Sequence, residues 1–241
     1  MLLMLGVAAC TKNNGPHVIN VPTDPTDQAA SLVTSSLAVN SNGAVNMIGD
    51  FTIDAQFKIN TDTLCGTTWA DSVSRTSATG ATTTYSYKSK YSYTLNCNDT
   101  STTNKYSVAS SLIYSGSFNG PNLSSSNSGS SIFTVSGLGK SSTAYVVNGE
   151  YKSSGSFQSK ADTTYSGSSS VDIVISNLTI SRPLRVIKSG SATIAVSGST
   201  PKHGSFSYTG TLVFTGGNTA TLTLNGNVYL VDLLSGNYIR R

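Results

Sequence analysis

Apolar and aromatic side chains occupy every second position through most of the chain after Thr67. They lie on odd positions from Tyr85 to Cys97 and on even positions from Tyr106 to Phe118, and the same period returns as far as Leu224. Because side chains alternate between the two faces of a β-strand, a period of two predicts strands with one buried face. We therefore expect an all-β protein, an antiparallel meander that forms a curved sheet, a sandwich or a barrel.

The composition supports a folded β protein over a helical or disordered one. Charged residues make up 11% of the 241 residues, against about a quarter in ordinary globular proteins. Ser, Thr, Asn and Gly take their place, and these residues disfavour long helices. The twelve tyrosines and seven phenylalanines are too many for a disordered chain. Lys and Arg are scattered rather than clustered in a stripe, so we expect no nucleic-acid partner.

Turn signals separate the alternating runs. Residues 119–121 (Asn-Gly-Pro) are expected to end a strand, and residues 216–218 and 225–226 have the Gly and Asn residues of tight hairpins. The Ser, Asn and Gly residues of segment 124–131 predict a loop. At Asn177 the apolar phase shifts by one residue, which indicates a bulge or a bend in the strand.

Two segments near the start of the chain have helical features. Residues 27–37 follow two capping candidates, Asp24 and Thr26, and place their apolar side chains near one face. Residues 44–58 have apolar residues at helical spacing but also alternate in part, so helix and strand both stay open there. We expect one β-rich domain over residues 27–241, with a helical start at about 27–58.

The first ten residues resemble an export signal. The apolar segment Met1–Ala9 ends in small residues before Cys10. Residues 7–10 (Val-Ala-Ala-Cys) resemble the lipobox of bacterial lipoproteins, in which the cysteine is lipidated on sulfur and becomes the mature N-terminus. We therefore interpret residues 1–9 as a signal peptide and Cys10 as the lipidation site. Since such signals normally begin with Lys or Arg and this one has neither, we expect the signal to be truncated.

Residues 10–26 are predicted to be a tether between the lipid and the domain. Asn13, Pro22 and Pro25 belong to turn-forming stretches that interrupt helix and strand. The apolar run before Cys10 is shorter than the about 20 residues that cross a bilayer, so lipid is the expected membrane anchor. We expect an outer-membrane lipoprotein of the cell envelope, with the periplasmic or surface side and the oligomeric state left open.

Cys65 and Cys97 are the two cysteines that remain once Cys10 is set aside. In an oxidising envelope compartment, a disulfide is the simplest interpretation of such a pair. The bond would close a loop of about thirty residues and stabilise the fold by about 3–4 kcal/mol in the chain-entropy model. The alternative is a metal or reactive thiol site, which lacks a nearby histidine.

Several segments together resemble a set of uncharacterised cell-envelope lipoproteins of the Bacteroidota type. The matching segments are the Cys10 lipobox, QAASLVTSSL, CGTT at Cys65, YTLNCN around Cys97, VNGEYKSSGS, GSATIAVSGST, and the tail GSFSYTGTLVF followed by ATLTLNGNVYLVDL. The resemblance covers most of the chain and implies an envelope location and a β-rich fold. It implies no activity, because none is known for the set.

The sequence contains little that could carry catalysis. His17 and His203 are its two histidines, and no metal-binding, nucleotide-binding or serine-nucleophile motif is present. We therefore expect no metal and no cofactor. Asp50 and Asp54 would share a face if their segment is helical, and paired carboxylates suit glycoside hydrolysis. On a strand they would point to the same solvated side.

A row of tyrosines is the most suggestive binding feature. Its members share one face of a predicted strand and are candidate ligand-facing residues: Tyr85, Tyr87, Tyr91 and Tyr93. Lys88 and Lys90 alternate with them on the other face. Aromatic rows can stack on sugars, but such rows also form cores whose hydroxyls are satisfied at the edge.

These observations favour a non-catalytic envelope protein that binds a protein or glycan partner or has a structural role. One alternative is a carrier of a lipid or other apolar ligand in a half-barrel-like cavity. A hydrolase that uses Asp50 and Asp54 ranks last. A concave side filled by the protein's own Tyr and Phe side chains would argue against a carrier.

Overall fold

The computed structural model describes residues 24–61, 65–97 and 106–241. Helix α1 spans Pro25–Leu37 and helix α2 spans Ala44–Thr61, and a short 3-10 helix at Val39–Ser41 joins them. The eleven strands that follow are β1 Thr68–Thr76, β2 Thr84–Cys97, β3 Tyr106–Asn119, β4 Leu123–Ser136, β5 Ala144–Ser159, β6 Ser166–Ser181, β7 Ile187–Thr200, β8 Gly204–Gly216, β9 Thr219–Leu224, β10 Asn227–Asp232 and β11 Tyr238–Arg240.

The strands form one sheet in sequence order, from β1 at one edge to β11 at the other. Each strand pairs antiparallel with its neighbours. The predicted all-β antiparallel meander with a helical N-terminal segment is confirmed. Among the three layouts expected from the sequence, the structure has the open, curved sheet.

Helix α1 begins where its sequence can cap it. The Asp24 carboxylate accepts hydrogen bonds from the backbone N–H groups of Thr26 at 2.8 Å and Asp27 at 2.9 Å, which satisfies two donors left free at a helix start. The predicted helix is confirmed, but it starts at Pro25, inside the range assigned to the tether. Proline suits this first helical position because its missing N–H has no intrahelical partner there.

Helix α2 resolves the segment that the sequence left ambiguous. Ile48, Phe51 and Ala55 are buried on its inner side, and their spacing is that of a helix. Phe57 is 61% exposed, so the short alternating pattern near it does not reflect a strand. The helix therefore places Asp50 and Asp54 one turn apart.

The helices lie on the inner face of the sheet. Helix α1 contacts strand β4 and strands β6–β10, and helix α2 contacts β4 and β5. The inner face beneath α1 is aliphatic, with fully or almost fully buried side chains from successive strands: Ile173, Ile194, Leu212 and Leu222. The remaining part of the inner face, on β2–β5, is built largely from aromatic rings and small residues.

Glycines on that aromatic part accommodate rings from neighbouring strands. Tyr87 lies opposite Gly116 on β3, and Tyr114 lies opposite Gly129 on β4. A Cβ atom at Gly116 would lie 2.5 Å from Tyr87 Cδ1, and one at Gly129 would lie 2.6 Å from Tyr114 Oη. Each ring thus covers the space that the glycine leaves empty.

This arrangement explains why the sequence of β4 does not look like a strand. Segment 124–131, predicted to be a loop, lies inside strand β4. Its inner-face positions Asn127 and Gly129 contribute no apolar bulk, because Tyr87 and Tyr114 on the neighbouring strands supply it. The Tyr87 hydroxyl donates to Asn127 Oδ1 at 3.0 Å, so even the polar side chain in this strand has a partner.

The predicted turns and the bulge are confirmed. Asn225 and Gly226 have φ values of 49° and 78°, as a tight hairpin with two left-handed residues requires. Strand β3 ends at Asn119, as predicted. Strand β6 changes register between Ser176 and Thr179, and the bulged Asn177 has a φ of 52°.

The sulfur atoms of Cys65 and Cys97 lie at disulfide-bonding distance, with a Cα–Cα separation of 5.5 Å. The predicted pair is therefore confirmed as a close one, and it joins the residues before β1 to the end of β2. Cys10, the signal peptide, His17 and most of the tether lie outside the described residues. Within the described ranges, neither helix is long and apolar enough to cross a membrane.

Candidate functional site: the edge cleft

A cleft lies between helix α2 and the inner face of strands β1 and β2, at the β1 edge of the sheet. It consists of two adjoining cavities of about 180 Å³ and about 340 Å³, which share Asp54, Tyr91 and Tyr93. We name it the edge cleft and define it by the side chains that line its helix and sheet sides: Asp50, Asp54, Phe57, Trp69, Asp71, Arg75, Tyr91 and Tyr93.

The register of β1 on β2 determines which side chains face the cleft. Trp69 pairs with Tyr93 and Asp71 pairs with Tyr91. Because alternate residues share a face, Trp69, Asp71 and Arg75 lie on the same inner face as these tyrosines. The six residue steps from Trp69 to Arg75 span about 20 Å at the rise of a strand, which gives the cleft the length of a short linear ligand.

Aromatic rings form much of the cleft wall. The rings of Tyr91 and Tyr93 stack with centroids 4.8 Å apart, and Phe51 of α2 stacks on Tyr93 at 5.2 Å. The ammonium group of Lys58 lies 5.5 Å from the centroid of the Trp69 ring, a distance typical of a cation–π contact. Trp69, the single tryptophan of the chain, is half-buried and so retains accessible surface.

Carboxylates from the helix meet the sheet across the cleft. Asp50 forms an ion pair with Arg75 at 3.0 Å, and the Tyr93 hydroxyl donates to Asp54 Oδ2 at 3.3 Å. Burial raises the pKa of Asp50; the Arg75 guanidinium acts in the opposite direction, and the nearby Asp54 carboxylate adds to the increase. The ends of the cleft therefore differ, with an ion pair at Arg75 and an aromatic surface at Trp69.

The hydroxyl of Tyr91 also responds to the carboxylates of the cleft. Burial raises its pKa, and the negative charges of Asp71 and Asp54 raise it further. The phenol thus keeps its proton and acts as a hydrogen-bond donor near the two carboxylates. A ligand that enters the cleft meets donor and acceptor groups beside apolar ring faces.

The tyrosine row that the sequence singled out is divided between core and cleft. Tyr91 lines the cleft and is half-buried, whereas Tyr93 is only 5% exposed and reaches the cleft with its hydroxyl. Tyr87 is 4% exposed and hydrogen-bonded to Asn127, so it belongs to the core. Tyr85 packs beside Tyr87 with centroids 6.3 Å apart, outside the edge cleft.

Trp69, Asp71 and Arg75 were not identified from the sequence. Strand β1 carries one aromatic residue and many polar ones, so its period of two has little apolar contrast. The sequence did contain one indication. Trp69, Asp71 and Arg75 occupy odd positions, as the tyrosines of β2 do. Their meeting with α2 depends on tertiary packing.

The two carboxylates of the hydrolase hypothesis do line one cleft. The ion pair with Arg75 favours the charged form of Asp50, but burial outweighs it and the pKa of Asp50 is raised, so the geometry alone neither assigns nor removes a proton-donor role. Among the described residues, no group of three or more His, Cys, Asp or Glu side chains could hold a metal ion. Comparisons with protein-family models, curated proteins and solved structures found no match to this chain.

Proposed function

We propose that this protein is a lipid-anchored, outer-membrane cell-envelope protein that binds a glycan in the edge cleft without catalysis. The observation that carries the proposal is the combination of accessible aromatic surface with carboxylate and guanidinium groups in one cleft, at Trp69, Tyr91, Asp54 and Arg75. Sugars have apolar C–H faces and hydroxyl groups that both donate and accept hydrogen bonds. Aromatic rings suit the first, and charged oxygen and nitrogen groups suit the second.

The dimensions of the cleft support a short glycan. The larger cavity, about 340 Å³, lies within the about 300–1,000 Å³ typical of small-ligand sites. The cleft is bounded on one side by α2 and follows β1 along its length, so a linear chain can lie beside the strand. A folded protein partner would instead require a broad surface of about 800 Å² on each partner.

Two further features support the envelope location. The lipobox resemblance at residues 7–10 provides a lipid anchor on Cys10, and the bonded pair Cys65 and Cys97 suits an oxidising compartment. Mass spectrometry of the envelope-extracted protein should find a lipid-modified peptide that begins at Cys10. Recovery of an unmodified peptide that begins at Met1 from native membranes would contradict the anchor.

The interior of the sheet gives little support to the carrier alternative. Helices α1 and α2 cover part of the concave face, and aromatic side chains fill the part over β2–β5. Tyr114 and Tyr151 are buried there and stack with centroids 5.6 Å apart. Their hydroxyls lie within the protein, where Tyr114 donates to the Lys152 backbone oxygen at 2.9 Å.

The test is a glycan array followed by calorimetry with the best ligand. Because an aromatic contact contributes about 1 kcal/mol or more beyond its buried area, Trp69→Ala should weaken binding about tenfold, and Tyr91→Ala should act in the same direction. Tyr165→Ala is the matched control, since Tyr165 stacks on His203 outside the cleft. Equal glycan affinity of wild type and Trp69→Ala would show that the edge cleft is not the binding site. If the wild type releases reducing sugars from the glycan and Asp54→Asn does not, the protein is a hydrolase rather than a binding protein.

A further inference from the structure

The outer face of the sheet carries rows of serine side chains in register. Ser86, Ser117, Ser126 and Ser156 are paired in succession across β2, β3, β4 and β5. The row continues through Ser168 and Ser199 on β6 and β7. All six are exposed. Because adjacent strands lie about 4.8 Å apart, their hydroxyls form a regular line across the sheet.

Two grooves run across the strands between such rows. The serine groove lies over β2–β5, with the row of Ser86 and Ser117 on one side and Asn119 and Gln158 on the other; its volume is about 580 Å³. Backbone of the intervening residues forms the floor. Four strands at about 4.8 Å spacing give the groove a length of about 14 Å. It is uncharged and lined by hydroxyl and amide groups.

A second groove, the lysine groove, lies beside it over β1–β3 and also has a volume of about 580 Å³. Ser74, Lys88 and Ser115 form one side, and Lys90 with Ile113 forms part of the other. Lys88 follows Ser86 by two positions on the same face of β2, so the two grooves belong to one continuous surface. Ile113 is 58% exposed and adds an apolar contact.

The charged side chains that line the two grooves are all positive. Among the described residues that line the two grooves, none is an aspartate or glutamate. Lys88 and Lys90 are exposed, and neither is ion-paired with a described residue. Two ammonium groups with no ion-pair partner among the described residues lie beside a hydroxyl-lined groove, and they complement a ligand that has both anionic groups and many hydroxyls.

We infer that the outer face binds an acidic polysaccharide, one stretch of which lies across the strands in the serine groove while the anionic groups of an adjoining stretch contact Lys88 and Lys90 in the lysine groove. A groove with amide and hydroxyl walls favours such a chain over an anionic membrane, which presents a broad surface. A single-stranded nucleic acid would call for aromatic stacking side chains, and the exposed side chains of the serine groove are aliphatic hydroxyls and amides. The site lies on the face opposite the edge cleft and does not rest on the proposed function.

The test compares two forms of one polymer, polygalacturonate and its methyl-esterified, neutral form, by affinity electrophoresis of the full-length, detergent-solubilised protein. We expect retardation by the acidic form alone. Lys88→Gln/Lys90→Gln should weaken binding about tenfold, since each exposed charge contact contributes up to about 1 kcal/mol. Lys140→Gln/Lys188→Gln is the matched control with the same change in net charge, and it should bind as the wild type does.

A second pair of variants tests the serine groove. Ser126→Tyr fills the groove and should abolish retardation, whereas Ser197→Tyr places the same side chain on the outer face of β7, beyond the groove, and should not. Trp69→Ala should leave this binding unchanged, so a failure here is distinguishable from a failure of the edge cleft. Equal binding of the two polymer forms, or unaltered binding by the Lys88→Gln/Lys90→Gln protein, would overturn the inference. So would binding to phosphatidylglycerol-containing vesicles without binding to polygalacturonate.

Discussion

The two edges of the sheet are held to the helices in different ways. At the β11 edge, which we name the latched edge, Tyr229 donates to Asp27 Oδ1 at 2.9 Å and Arg240 donates to Asp24 Oδ2 at 2.8 Å. At the β1 edge, which we name the open edge, helix α2 is connected by the pair Asp50–Arg75 and by the longer Tyr93–Asp54 hydrogen bond, at 3.3 Å.

Burial separates the two sets of contacts more clearly than distance does. The Asp27 side chain is 8% exposed, whereas Asp50 is 28% and Arg75 is 40% exposed. Buried hydrogen bonds are costly to break because the remaining partner is left without water, and exposed ion pairs contribute little. The latched edge therefore holds the helical segment on the sheet, and the open edge leaves space for a ligand between helix and strand.

The largest effect is expected from the covalent bond at the open edge. Cys65 and Cys97 are 32 residues apart in sequence, and closing such a loop contributes about 3–4 kcal/mol in the chain-entropy model. Cys65→Ser/Cys97→Ser should lower the free energy of unfolding by that amount in urea titrations. Wild type with reductant is the control, and it should match the variant. A difference below about 1 kcal/mol would show that non-covalent contacts hold β1 in place.

Asp27→Ala should have the next largest effect, because it removes the acceptor of the buried Tyr229 hydroxyl and one acceptor of Arg240. We expect a loss of about 2–4 kcal/mol in the free energy of unfolding. Asp71→Ala is the matched change at the open edge. Asp71 is exposed, so its loss should cost at most about 0.5 kcal/mol. Equal losses in the two variants would erase the distinction between the edges.

Whether a feature could be predicted from the sequence depends on whether its contacts are made between neighbours in the chain or between distant segments. The strand period, the cap of α1 and the Asn225–Gly226 hairpin depend on neighbours in sequence, and each was predicted. Strand β4 was missed because the rings that cover its Asn127 and Gly129 come from β2 and β3. In the edge cleft, Tyr91 was recognised from its own strand. Arg75 was not, because its partner Asp50 belongs to another element.

The two edges should also differ in the sign of their acid dependence. Burial acts to raise the pKa of Asp24, but hydrogen bonds from Arg240 and from the backbone N–H groups of Asp27 and Thr26 outweigh it and lower that pKa below 3.8. A lowered folded-state pKa contributes stability above the unfolded value that is lost as the pH falls through the folded one. The pKa of Asp50 is raised, so folding is favoured by its protonated form and loses stability as the pH rises through its pKa.

Urea titrations between about pH 2 and pH 6 should reveal this contrast. Relative to wild type, Asp24→Asn should flatten the fall in stability on acidification, and Asp50→Asn should steepen it. Both effects are expected to be smaller than that of Asp27→Ala, because Asp24 is 39% exposed and solvent screens its interactions. Shifts of the same sign in both variants would contradict the pKa directions on which the contrast depends.

The smallest effect on stability is expected at Arg75, whose ion pair with Asp50 lies at the open edge. Because the Arg75 side chain is 40% exposed, Arg75→Gln should change the free energy of unfolding by about 0.5 kcal/mol or less. The same variant removes a guanidinium from the edge cleft, so glycan affinity should fall while the melting temperature stays nearly constant. Arg185→Gln, a change at an exposed arginine in the β6–β7 connection, controls for net charge. A large loss of stability in Arg75→Gln would mean that the ion pair helps to hold α2 on the sheet. The two edges would then hold the helices with comparable strength.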